Sequence, residues 1–139
     1  ITALLRTDRG TTDYLDWRWR GSLQDIDVTA EFEPGLIESV RMGFLSHHRS
    51  GVVCPKTVEL YTGPDRDHLE LKEILTMPDG PGAREIERHD AVFTVNERIG
   101  AFRIVARRHE RMPQWCIYRG TTAVFTMTDC LIVRPGEEA

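Results

Sequence analysis

The chain has 139 residues, a formal net charge of −4, and 40% hydrophobic and 29% charged residues, enough for one domain with its own hydrophobic core. Its acidic and basic residues are interspersed, so it lacks the continuous positive field that a phosphate backbone requires, and nucleic acid is excluded as an expected partner. No apolar run approaches the roughly 20 residues of a membrane-spanning helix, and the opening residues, ITALLRTDRG, lack the charged, apolar and small-residue succession of a secretory signal. Without an initiator Met, the sequence reads as a fragment of a larger protein.

From Gln24 to Glu33, Ile26, Val28, Ala30 and Phe32 alternate with Asp25, Asp27, Thr29, Glu31 and Glu33. That is the period of two of a half-buried strand. Pro34-Gly35 is a turn signal, and Glu38 to Ser46 resumes the alternation with Val40, Met42 and Phe44 on one face, so a hairpin is predicted here. Lys56 to Thr62 sets Val58 and Leu60 inward against Thr57, Glu59 and Tyr61, then breaks at Gly63-Pro64-Asp65. Leu69 and Leu71 begin another short run. Met77 to Gly82 concentrates loop formers, Ala91 to Val95 and Phe102 to Ala106 read as two further strands, and Val124 to Val133 as a closing one. Roughly seven or eight short strands without a long 3.6-residue period predict an all-β antiparallel sandwich or barrel in a single domain over 1–139. The Glu137-Glu138-Ala139 tail is predicted to fray.

Signatures of catalysis are sparse. The sequence contains no Gly-rich phosphate loop, no G-x-S-x-G elbow and no H-E-x-x-H pair. His47 and His48 are adjacent, and on a strand their rings would point to opposite faces, which disfavours joint ligation of one ion. Cys116 lies near His109 in sequence, but a nucleophile and base are defined by distance in space, as is a glycosidase carboxylate pair among the 22 acids. No catalytic residues are predicted. The three cysteines, Cys54, Cys116 and Cys130, form an odd set, so at least one thiol is unpaired unless a second chain supplies a partner. Buried free thiols and a single bridge both remain open.

Two stretches sharpen this reading. Ile99 to Trp115, IGAFRIVARRHERMPQW, continued by Gly120 and Val124 to Val133, resembles the C-terminal half of discoidin-like domains, also called coagulation factor type C domains. The nearest likeness is to those appended to bacterial chitobiase and β-hexosaminidase glycoside hydrolases. Arg9 to Tyr14, Trp19-Arg20-Gly21, Asp25 and the strand to Phe32 resemble the family's opening. Val40 to Leu45 and Pro55 to Tyr61 resemble its central strands, with Gly63-Pro64-Asp65 at its hairpin turn.

The resemblance implies an eight-stranded jelly-roll sandwich of the galactose-binding type, with sheets of five and three strands and ligand loops at one end. It implies a non-catalytic carbohydrate-binding module of a secreted, periplasmic or cell-surface glycoside hydrolase; the alternative is a structural domain that packs against the catalytic domain and binds nothing. The expected partners are a glycan or that catalytic domain, with no membrane insertion and a monomeric state. A lipid-surface role fits less well, because the loops mix both charges. Among loop residues, Trp17, Arg18, His47, His48, Arg49, Trp115, Tyr118 and Arg119 offer the aromatic and hydrogen-bonding groups that sugars require. Trp19 is expected in the core, Trp115 could equally plug the end of the barrel, and Arg103, Arg107 and Arg108 fit a solvated strand face. The family's structural calcium would draw on Asp8, Thr11 and Thr12, but its closing-strand acid pair reads Asp129-Cys130 here, which replaces a hard ligand with a soft one. Cys116 and Cys54 occupy positions where the family has a His and an aromatic, which implies a Cys54–Cys116 bridge in their place.

Overall fold

The computed structural model describes residues 20–22, 24–47, 52–77, 86–111 and 126–136. These form six strands, β1 (Arg20–Ser22), β2 (Ile26–His47), β3 (Thr57–Gly63), β4 (Glu70–Thr76), β5 (Ile86–Arg107) and β6 (Thr126–Pro135), and the described residues contain no helix. The protein is all-β. The strands form one antiparallel sheet in the order β1-β6-β2-β5-β3-β4.

The strand expectations hold for β3, β4 and β6, and the break after Gly63 is a turn. The expected hairpin at Pro34-Gly35 is corrected: β2 continues through that dipeptide as one strand, and both of its halves pair with β5. Likewise Ala91 to Val95 and Phe102 to Ala106 are parts of one strand. A Pro-Gly pair makes a turn only when the flanking segments find each other; here each half finds β5 instead.

Both β2 and β5 are 22 residues long. At about 3.3 Å per residue a straight strand of that length would reach roughly 70 Å, against a radius of gyration of about 14 Å expected for a chain of this size. The strands must therefore bend, and the register records where. Phe32, Glu33 and Pro34 lie between the pairs Glu31↔Ala101 and Gly35↔Ile99, opposite the single residue Gly100; further on, Val95 and Asn96 stand opposite Glu38. Extra residues of this kind bend a strand and raise its twist. Asn96 takes a left-handed conformation with φ 47°, a region that Asn tolerates better than most residues. A third irregularity sets Asp129 and Cys130 of β6 opposite Gly43, and the Thr128 hydroxyl donates to the Gly43 carbonyl at 2.7 Å.

Residues from both halves of the bent pair share one core, Ile26, Val28, Phe102 and Ile104 from one half and Val40, Met42, Phe44, Ala91 and Phe93 from the other, joined by Val58 and Leu60 of β3. Phe44, Phe93, Phe102 and Leu60 are fully buried. The core members of β5 are odd-numbered as far as Ile99 (Ala91, Phe93, Val95, Ile99) and even-numbered from Phe102 (Phe102, Ile104, Ala106), so the inward side changes across Gly100, opposite the extra residues of β2, and the inner face stays apolar through the bend. Phe32 packs on Phe102 at the bend, with centroids 5.9 Å apart and planes inclined by 52°.

Two glycines let backbone segments meet. A Cβ on Gly63 would overlap the His68 carbonyl, and one on Gly100 would overlap the Pro64 carbonyl and lie 3.3 Å from Cγ of Pro34. At Gly35 the nearest group to such a Cβ is the Glu33 carbonyl at 3.9 Å. Gly100→Ala is expected to cost about 1–3 kcal/mol by forcing the β3–β4 turn off the sheet, whereas Gly35→Ala should be neutral or stabilising by up to about 1 kcal/mol; urea denaturation of the two variants side by side checks the contrast.

Candidate functional site

The outer face of β2, β5 and β3, opposite the core, carries the residues that the strand period leaves outward. Thr29, Arg103 and Tyr61 stand in one cross-strand row, and Asp27, Val105 and Glu59 in the next. Arg103 reaches diagonally to Asp27 with two hydrogen bonds, from Nε at 2.9 Å and from the terminal nitrogen at 2.6 Å, and its guanidinium lies 5.7 Å from the Tyr61 ring centroid. Arg107 donates two hydrogen bonds to Glu59 at 3.0 and 3.3 Å and lies 3.5 Å from Asp25. Tyr61 closes the series by donating its hydroxyl proton to Glu59 at 2.7 Å. Beneath this ladder Val105 is buried, because the stems of the long arginines cover apolar surface while their heads remain wet. The solvated face expected for Arg103 and Arg107 is therefore present, with each guanidinium pinned by a carboxylate.

The ladder sets the charge states of its members. The Arg103 hydrogen bonds hold the Asp27 carboxyl below the ordinary carboxylate range, and those of Arg107, aided by Tyr61, do the same for Glu59. The Glu59 carboxylate in turn raises the Tyr61 hydroxyl. Arg103 and Asp27 are 42% and 47% exposed, so solvent screens the pair and its contribution to stability is small. Its main effect is to fix geometry.

Residues between β3 and β4 complete the site. The Asp65 carboxylate accepts from the Asp67 backbone N–H at 2.9 Å and meets Nδ1 of His68 at 2.7 Å, while the Arg66 N–H donates to Glu31 across the sheet at 3.3 Å. The hydrogen bond with His68 lowers the Asp65 carboxyl and raises the His68 imidazole. This turn forms the rim of an open cleft of about 480 Å³ whose apolar wall is Tyr61 and Leu69 and whose polar wall is Asp27, Thr29 and Arg103, with Arg66 and Asp67 at the mouth. A second cleft, of about 540 Å³, lies on the other side of the turn between His68, Lys72 and Arg98, where Lys72 pairs with Glu97.

Of the residues predicted from sequence, Asp8, Thr11, Thr12, Trp17, Arg18, His48, Arg49, Trp115, Cys116, Tyr118 and Arg119 lie outside the described residues. So does Trp19. His47 ends β2, paired with Ile86. Among the described residues Cys54 is a buried free thiol, and Cys116, the other half of the bridge expected from sequence, lies outside them. Burial, with a further contribution from Glu87, pushes that thiol up to about 12, so it is neutral near physiological pH and packs as an apolar group. Among the described residues no cluster of three His, Cys, Asp or Glu side chains could hold a metal ion.

Sequence reading left Asp27, Tyr61, Arg66, Asp67 and Leu69 out of any site. The available signal was the run of opposite charges at outward strand positions, Asp27 and Glu59 against Arg103 and Arg107; only the register shows that they face one another. No protein-family model matches this chain, and no curated protein matches it.

Two outcomes follow. Because the folded Asp27 carboxyl titrates below its unfolded counterpart, its contribution is present above the unfolded value and is lost as pH falls through the folded one. The stability difference between wild type and Asp27→Asn should thus be constant from neutrality to about pH 5 and shrink below about pH 4, as read from urea midpoints across pH. Native Cys54 should resist iodoacetamide at pH 8 and react once the chain is unfolded, as peptide mapping by mass spectrometry would record.

Proposed function

We propose that the chain is a discoidin-like jelly-roll module of eight strands that binds carbohydrate without catalysing its breakdown, as an accessory part of a secreted glycoside hydrolase of the chitobiase type. The observation that carries this reading is the outer-face cleft, where an aromatic and an aliphatic wall meet guanidinium and carboxylate groups already fixed by their partners. Sugar recognition needs both an apolar surface for C–H groups and planar polar groups for hydroxyls. A module of this kind keeps its parent enzyme near a polymeric glycan by raising effective concentration, so modest affinity suffices.

A second reading, a structural domain seated against the catalytic domain, is favoured by Leu71 and Ile74. Each is 52% exposed on β4, and their partners Tyr61 and Glu59 place both on the outer face.

Calorimetric or NMR titration with N-acetylglucosamine, galactose and N-acetylgalactosamine oligomers separates the two readings. Saturable binding at millimolar ligand or below is expected for the first; silence across the panel from folded protein would leave the structural domain standing.

A further inference from the structure

We infer that the cleft bounded by Tyr61, Leu69 and the Asp27–Arg103 pair is a subsite for one uncharged pyranose residue, an inference that rests on the carbohydrate-binding reading above. The first support is charge. The ionised groups lining the cleft are Asp27 and Asp67 against Arg66 and Arg103, two of each sign, so neither an anionic nor a cationic ligand gains a net Coulombic advantage there. A neutral polyol meets donors and acceptors alike without bringing an unmatched charge into the site.

The second support is arrangement. Arg103 is held in plane by its two bonds to Asp27 and by the Tyr61 ring. The rim that carries Arg66 and Asp67 is fixed by the Asp65 bonds, by the Arg66–Glu31 bond and by the close backbone approaches at Gly63 and Gly100. Polar groups fixed before the ligand arrives spare the ordering cost that would otherwise reduce affinity. Two planar groups set side by side match the spacing of hydroxyls on neighbouring ring carbons, in the way that planar carboxylate and guanidinium groups make paired hydrogen bonds. The third support is size and polarity: about 480 Å³ falls within the range of small-ligand clefts, and Leu69 with Tyr61 offers C–H groups of the ring an apolar wall. Arg66 and Asp67 stand exposed, so either side chain can be removed without opening the core.

The test is an NMR titration of the whole 139-residue chain with N-acetylglucosamine, galactose and N-acetylgalactosamine oligomers, with glucuronate and glucosamine as charged comparators. Arg66→Ala and Asp67→Ala are titrated beside Trp115→Ala, all with verified spectra of folded protein. The expected result is saturable shifts at the amides of Tyr61, Asp67, Leu69 and Arg103 with a neutral sugar, and a dissociation constant raised about tenfold or more in each rim variant, the effect of losing a hydrogen bond to a charged group. Binding that leaves these amides unmoved, or that survives both rim variants and is lost in Trp115→Ala, overturns the cleft while leaving the carbohydrate-binding reading intact. Tighter binding of either charged comparator overturns the argument from neutrality. Absence of binding by any sugar overturns both the subsite and the reading on which it rests.

Discussion

A pair of 22-residue strands cannot stay straight within a 139-residue chain, and the way β2 and β5 bend together governs most of the rest of the architecture. Each strand carries its extra residues at a different point, β2 at Phe32–Pro34 and β5 at Val95–Asn96, so the pair changes direction without losing its pairing on either side. A bulge also reverses which residues point inward. In β5 the inward side changes between Ile99 and Phe102, beside the extra residues of β2, and so Ala91, Phe93, Val95 and Ile99 share one apolar face with Phe102, Ile104 and Ala106. Without the shift, one half of the strand would turn its charged residues to the core, at a cost of several kcal/mol for each unpaired buried charge.

The same bend fixes the polar face. Beyond it, β5 is flanked by β2 on one side and β3 on the other, and three strands in register are the minimum needed to line up Asp27, Arg103 and Tyr61 across one surface. The β3–β4 turn is then drawn down onto this surface through the approach of Pro64 to Gly100, a residue that lies in the bend itself, opposite the bulge of β2. The cleft is therefore a consequence of the bend: the sheet supplies its floor and the turn supplies its rim. A carbohydrate-binding role, as proposed, would use a surface whose charges are matched in number and whose side chains are already held.

Among the described residues β4 is an edge strand of the sheet, and it is treated differently from the interior. Lys72 is the extra residue of a bulge between the pairs Leu60↔Glu73 and Tyr61↔Leu71, and Glu73, set opposite the core residue Leu60, places a charge where an edge strand would otherwise be apolar. Both features discourage a further strand from pairing there. The exposed Leu71 and Ile74 consequently offer side-chain contact on the outer face rather than a backbone edge for extension, which is the kind of surface that a neighbouring domain covers.

How much could be read in advance differs from level to level. The alternation at Ile26 to Phe32, at Val40 to Phe44 and at Val58 to Leu60 established strands, their buried faces and the all-β class, because a period of two is a local property of backbone geometry and side-chain polarity. The turn at Gly63-Pro64-Asp65 was equally legible, since its residues favour that conformation by themselves. Pro34-Gly35 was not, because nothing local distinguishes a turn from a bulge when the outcome depends on which strand lies alongside. Asp27, Tyr61 and Arg103 are separated by 34 and 42 positions in the chain and become neighbours only through the registers Thr29↔Arg103 and Tyr61↔Arg103. Sequence determined which residues face outward; tertiary structure alone decided which of them meet, because cross-strand register is set by the packing of the whole core and not by any one segment.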